Sequence, residues 1–129
     1  PNYEKSNYYN LEANSYTNSA DKIKAYNKAL EELNINFDSF EGLIKEYSKD
    51  NTKTSKDWRA LAEKVINSYT YYPYALVDLL KVITPHLEGA DIVDIDIAKT
   101  QALTKATQAT ASNVYQYKDC QAIAKSLRK

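Results

Sequence analysis

The chain has 129 residues, 43% of them hydrophobic and 26% charged, with 17 basic side chains against 17 acidic ones. That is one domain's length with apolar content enough for a core, so wholesale disorder is excluded, and zero formal charge excludes a bulk field that would recruit nucleic acid or an anionic membrane. Two glycines and three prolines are too few for the turns of an all-β protein, and no apolar run reaches the length of a membrane span.

The composition therefore predicts an all-α fold. Residues 1–129 read as a single-domain antiparallel bundle of five or six helices with a long C-terminal helix. Between Tyr3 and Leu33 there is neither Gly nor Pro, and Tyr9, Tyr16, Ile23 and Leu30 recur every seven residues, joined by Ala20, Tyr26 and Leu33. This is an a/d-type seam over three heptads. The run from Lys5 to Ser19 is rich in poor helix formers, so residues 1–17 read as a loosely ordered N-terminal extension, with Asn18 or Ser19 capping the firm helix.

Phe37, Phe40, Leu43, Ile44 and Tyr47 give the next helix, with Asp38 as expected N-cap, Glu41 three residues on, and Gly42 as a weak point inside it. Residues 48–57 are polar and read as an exposed loop, ending at a cap on Thr54 or Ser55. Trp58, Leu61, Ala62, Val65, Ile66 and Tyr69 then form a stripe of 3.6-residue period. Pro73 opens the following helix, which is apolar nearly all round except at Asp78 and Lys81, and Pro85 and Gly89 end it. The last forty residues contain no Gly or Pro; acids at their start and bases at their end predict a helix from Asp91 or Asp94 to Ser126, with a break near residues 111–113.

Candidate chemistry is sparse. Asp91, Asp94 and Asp96 are hard-cation ligand types, yet no glycine turn or distal glutamate follows, and helix capping or a short edge strand accounts for them equally; no metal or other cofactor is expected. His86 and Cys120 are each solitary, with no flanking pattern of a hydrolase, and no catalytic residue is assigned. Cys120, the single cysteine, reads as a free, half-buried thiol on a helix or, alternatively, as one half of an intermolecular disulfide, which needs an oxidising compartment. The chain does not begin with Met, which fits equally a mature exported chain (periplasmic or extracellular) and a chain trimmed at its start.

Surfaces are more informative. Twelve tyrosines stand against two phenylalanines and no methionine, a mixture that offers large contact area at low entropy cost, although an AT-rich coding sequence would enrich the same residue. Tyr3, Tyr8, Tyr9, Tyr71, Tyr72 and Tyr74 form the candidate aromatic surface. Ala98, Ala102, Ala106 and Ala109 make a small-residue strip beside Thr100, Thr104 and Thr107, a candidate helix face for a partner or for an internal seam. Residues 1–50 hold six lysines and nine acids, while residues 99–129 hold six bases and one acid; Tyr115 and Tyr117 lie in the basic end, but its charges are dispersed and nucleic acid is not an expected partner. The expected function is a non-catalytic protein–protein interaction module, such as an exported bacterial or viral protein that binds or neutralises a partner. The alternatives are a structural subunit self-assembling through the Ala/Thr face and, last, a small enzyme or metal-binding protein.

Overall fold

Asparagine side chains decide where the first three helices begin. In the computed structural model, which describes residues 1–111, Asn2 caps α1 (Tyr3–Ser15) by accepting the Lys5 N–H at 2.9 Å. Asn18 caps α2 (Ser19–Glu32) by accepting from Ala20 and Asp21 at 2.8 and 3.3 Å. Asn36 caps α3 (Phe37–Lys49) by accepting from Ser39 at 3.2 Å, so the cap lies two residues before the expected Asp38. Each side-chain oxygen takes an orphan N–H donor that the helix itself cannot satisfy. Three further helices follow, α4 (Ser55–Tyr69), α5 (Pro73–Ile83) and α6 (Ala90–Ala111), with a 3-10 turn at Thr84–His86. The fold is all-α, and no strand occurs among the described residues. The described residues divide into two compact units, Pro1–Lys53 and a second that begins at Thr54.

In the first unit the three-heptad seam is cut. The chain turns back at Tyr16–Asn18, and the Asn2 N–H donates to the Glu32 carbonyl at 3.1 Å, so α1 and α2 form an antiparallel hairpin. The Asn18 cap offers the backbone a local alternative to a continuous helix, and that alternative wins. The stretch read as a loose extension is thus helix α1. Tyr16 and Ala20 are exposed; of the expected seam Tyr26 and Leu33 are buried, with Ala25 and Ala29 beside them, and Ile23 and Leu30 are half-buried. From α3, Phe40, Leu43 and Ile44 complete this core.

A buried polar chain joins the three helices. Ser6 Oγ donates to the Ala29 carbonyl at 2.7 Å and accepts from Asn36 Nδ2 at 2.8 Å, while Ser39 Oγ donates to Asn10 Oδ1 at 2.8 Å. Ser6 and Ser39 are fully buried. Satisfied in this way, such groups specify one packing; left unpaired, each would cost about 1–3 kcal/mol.

In the second unit α4 buries the stripe read from the sequence, Trp58, Leu61, Ala62, Val65, Ile66 and Tyr69. Thr54 opens it as a capping-box residue, its N–H donating to Asp57 Oδ2 at 2.8 Å. Buried Pro73 stands at the first turn of α5, as expected. α5 is not buried all round, however: Leu76, Leu79, Leu80 and Ile83 face inward, whereas Val82 is 49% exposed. The expected end at Pro85 and Gly89 is a 3-10 turn followed by Gly89 at φ +55°, a left-handed conformation that glycine adopts without strain. Residues 91–97 are helical rather than a strand. The expected continuation to Ser126, together with Cys120, Tyr115 and Tyr117, lies outside the described residues. Among those described, no helix is long and apolar enough to cross a membrane.

Gly42 provides a test. Helix propensity alone predicts that Gly42→Ala stabilises the chain by about 1 kcal/mol. Here a Cβ at position 42 would overlap the ring of Tyr26, whose hydroxyl is tied to Asn14 Oδ1 at 2.7 Å. We expect Gly42→Ala to lower the stability measured by urea denaturation by about 1–3 kcal/mol, the usual cost of overpacking. A variant more stable than wild type would show that the ring moves aside freely.

Candidate interaction surfaces

α1 is packed through its small and polar residues. Its inward face carries Ser6 and Ala13, both fully buried, with Asn10 half-buried beside them. At 100° per residue Leu11 and Tyr8 lie on the opposite side, about 60° apart, and Tyr3 stands at its edge, about 60° from Ser6. Leu11, Tyr8 and Tyr3 are 68%, 61% and 59% exposed. Tyr9 lies at the margin, half-buried, its ring edge-on to Tyr8 at 5.6 Å and 5.7 Å from the Lys28 ammonium. Tyr16, beyond the end of the helix, donates its hydroxyl to Glu12 Oε1 at 2.7 Å, and that hydrogen bond to a carboxylate raises the phenol's pKa. Tyr26 is also raised, first by burial and then by the Glu46 charge.

Between α4 and α5 the chain turns on Tyr69 to Pro73. Tyr69 points inward at 3% exposure, and Tyr72 sets its ring edge-on against it, centroids 6.1 Å apart. The Tyr72 N–H donates to the Tyr69 carbonyl at 2.9 Å, which closes the corner. Tyr71, Tyr72 and Tyr74 are 58%, 50% and 52% exposed, so three of the four rings at this corner present much of their area to solvent. All three belong to the aromatic surface expected from the sequence, and the short turn leaves Tyr72 and Tyr74 half in and half out.

The acidic cluster has protein partners. Arg59 on α4 reaches Asp91 Oδ1 at 3.0 Å, Asp94 Oδ2 at 2.9 Å and Glu63 Oε1 at 3.0 Å. Ser55 Oγ donates to Asp91 Oδ2 at 2.7 Å and accepts the Glu88 N–H at 2.9 Å, so α4 and α6 begin side by side. Asp96 pairs with Lys99 at 3.2 Å. No group of three or more His, Cys, Asp or Glu poised for a metal ion occurs among the described residues. The hydrogen bond from Ser55 and then that from Arg59 hold the Asp91 carboxyl below the usual carboxylate range, and the three carboxylates hold the Arg59 guanidinium above its own. His86 is stacked flat on Trp58, ring centroids 3.9 Å apart and planes 6° apart. It packs over the buried indole of α4.

On α6, Ala102 and Ala106 are buried, Ala98 is half-buried and Ala109 is exposed. Thr100 and Thr104 are exposed, and Thr107 is half-buried. The sequence reading missed Leu11, Val82, Ile92, Val93 and Ile97, all at least 45% exposed. Val93, Ile97, Thr100 and Thr104 do carry a seven-residue signal, hidden because the alanines beside them have the same spacing. No protein family, curated protein or solved structure compared with this chain matches it.

The Asp91 clamp makes stability depend on acidity. A carboxyl with a lowered folded-state pKa contributes stability that is complete above the unfolded carboxylate range and is lost as pH falls through the lowered value. We expect Asp91→Asn to lower the urea midpoint by a constant amount above about pH 5, with the gap to wild type closing below about pH 4. A gap that stays constant down to pH 2 would show that the Asp91 charge is not what the clamp uses.

Proposed function

We propose that the chain is a non-catalytic protein–protein interaction module whose contact surfaces are the outer arc of α1 and the tyrosine corner between α4 and α5. The observation that carries this reading is the inversion of α1, a helix that buries Ser6 and leaves Leu11 and Tyr8 in solvent. A helix free of other duties turns its apolar side inward, because burying a leucine side chain is worth roughly 2 kcal/mol. Leu11 and its flanking rings are what a partner surface would bury. Large, rigid tyrosines beside one aliphatic anchor match the usual make-up of protein contact sites.

The support at the second surface is similar in kind. Tyr71, Tyr72 and Tyr74 lie within four residues of one another, and Tyr72 is braced by Tyr69. A braced ring loses little further freedom on binding, which is what makes tyrosine effective in contact surfaces.

Tyr8→Ser and Leu11→Ser, singly and together, test the reading. Both side chains are exposed, so melting temperature and far-ultraviolet dichroism should match wild type within the small range usual for surface changes. Affinity capture from the cells that express the chain should recover a protein with wild type and lose it, by at least about tenfold, with the double variant. Identical recovery with wild type, this double variant and a Tyr71→Ser/Tyr74→Ser double variant would overturn the assignment of these surfaces.

A further inference from the structure

We infer that the outward face of α6 pairs in antiparallel orientation with the same face of a second copy of this chain. α6 turns Ile95, Ala102, Leu103 and Ala106 inward, each at most 4% exposed. On its other side Val93, Ile97, Thr100 and Thr104 follow at spacings of four, three and four, within an arc of about 60°. Val93 and Ile97 are 57% and 52% exposed, and both threonines are exposed. The threonine hydroxyls are already occupied: Thr100 Oγ1 donates to the Asp96 carbonyl and Thr104 Oγ1 to the Thr100 carbonyl, each at 2.9 Å. Their methyl groups are what remains to meet a neighbour. The result is an apolar, wholly β-branched stripe about 16 Å long with the spacing of a coiled-coil seam. A groove of about 210 Å³ lined by Ile92, Val93, Ile97 and Thr84 opens alongside it.

Charge identifies the occupant. Asp94 and Lys105 lie on the same flank of the stripe, about 100° and 120° around the helix from Val93. In an antiparallel pair each flank faces the same flank of its neighbour. Setting Ile97 against Thr100 and Val93 against Thr104 brings Asp94 of one copy to within about 3 Å, along the axis, of level with Lys105 of the other. Twofold symmetry makes the contact twice. An in-register parallel pair offers the flanking Asp96 only Gln101, an uncharged residue. Lys105 has no ion-pair partner among the described residues, and the Asp94 side chain, 47% exposed, keeps acceptor capacity beyond its Arg59 contact. Opposed helix dipoles favour the same orientation. A contact this short belongs to the weak, transient class.

The inference uses none of the tyrosines of the proposed function, so either can fail alone. Sedimentation equilibrium on the full chain carrying Cys120→Ser, from about 5 µM to about 1 mM, should show mass rising from monomer towards dimer. Ile97→Asp should weaken association more than about 100-fold with unchanged dichroism, and Lys105→Glu by about three- to thirtyfold. Spin labels at Gln101 should report a short distance between copies, and at Gln108 one close to 30 Å, about three times the parallel value, from the rise per residue. A monomer at every concentration, a dimer that Ile97→Asp leaves intact, or short distances at both labels would each overturn the inference.

Discussion

The hydrogen bond from Ser6 to the Ala29 carbonyl, extended by Asn36 and Ser39, lets α1 dock without burying a large apolar side chain. Much of the surface follows from that substitution. A helix usually earns its place through an apolar stripe worth several kcal/mol. α1 has no such stripe on its inward side, and its attachment rests on Ser6, Asn10, the small Ala13 and the backbone bond from Asn2 to Glu32. Polar locking of one face releases the other from the core, and Leu11 and Tyr8 are there.

The second unit follows the same logic with charge. The start of α6 is held against α4 by Arg59 between Asp91 and Asp94, with Ser55 bridging to Asp91 and to the Glu88 N–H. Asp91 is the better sheltered of the two acids, its side chain 14% exposed, so its contact with Arg59 is the less screened by solvent. With orientation set by this clamp and by Ile95, Ala102 and Ala106, the β-branched residues of the far side are left outside. The clamp gives Asp91 and Asp94 a structural role in joining α6 to α4.

Amphipathic elements were legible where one face does one job. The α4 stripe from Trp58 to Tyr69, Pro73 at the first turn of α5 and the Asn18 cap follow from local rules of periodicity, proline geometry and capping. The reading faltered where two signals overlapped. The heptad spacing from Tyr9 to Leu30 crosses a cap at Asn18, and a pattern of side chains cannot tell a continuous helix from a hairpin whose arms share a period. On α6 the alanines and the β-branched residues recur at the same interval, so the conspicuous strip drew attention from Val93 and Ile97. Leu11, flanked by polar residues, carries no local sign that it is exposed.

What the sequence determined alone is the helical class, the starts of α2, α4 and α5 at Asn18, Thr54 and Pro73, and the α4 core stripe, because these depend on neighbours within a turn or two along the chain. Tertiary structure decided that Ser6 is buried and Leu11 is not, that Arg59 meets Asp91 and Asp94, and which side of α6 turns outward. Those outcomes depend on hydrogen-bond and charge partners 23 to 36 positions away, such as Ala29 for Ser6 and Asp91 for Ser55. A side chain's exposure is set by what the chain folds against it, and that is a property of the packed molecule.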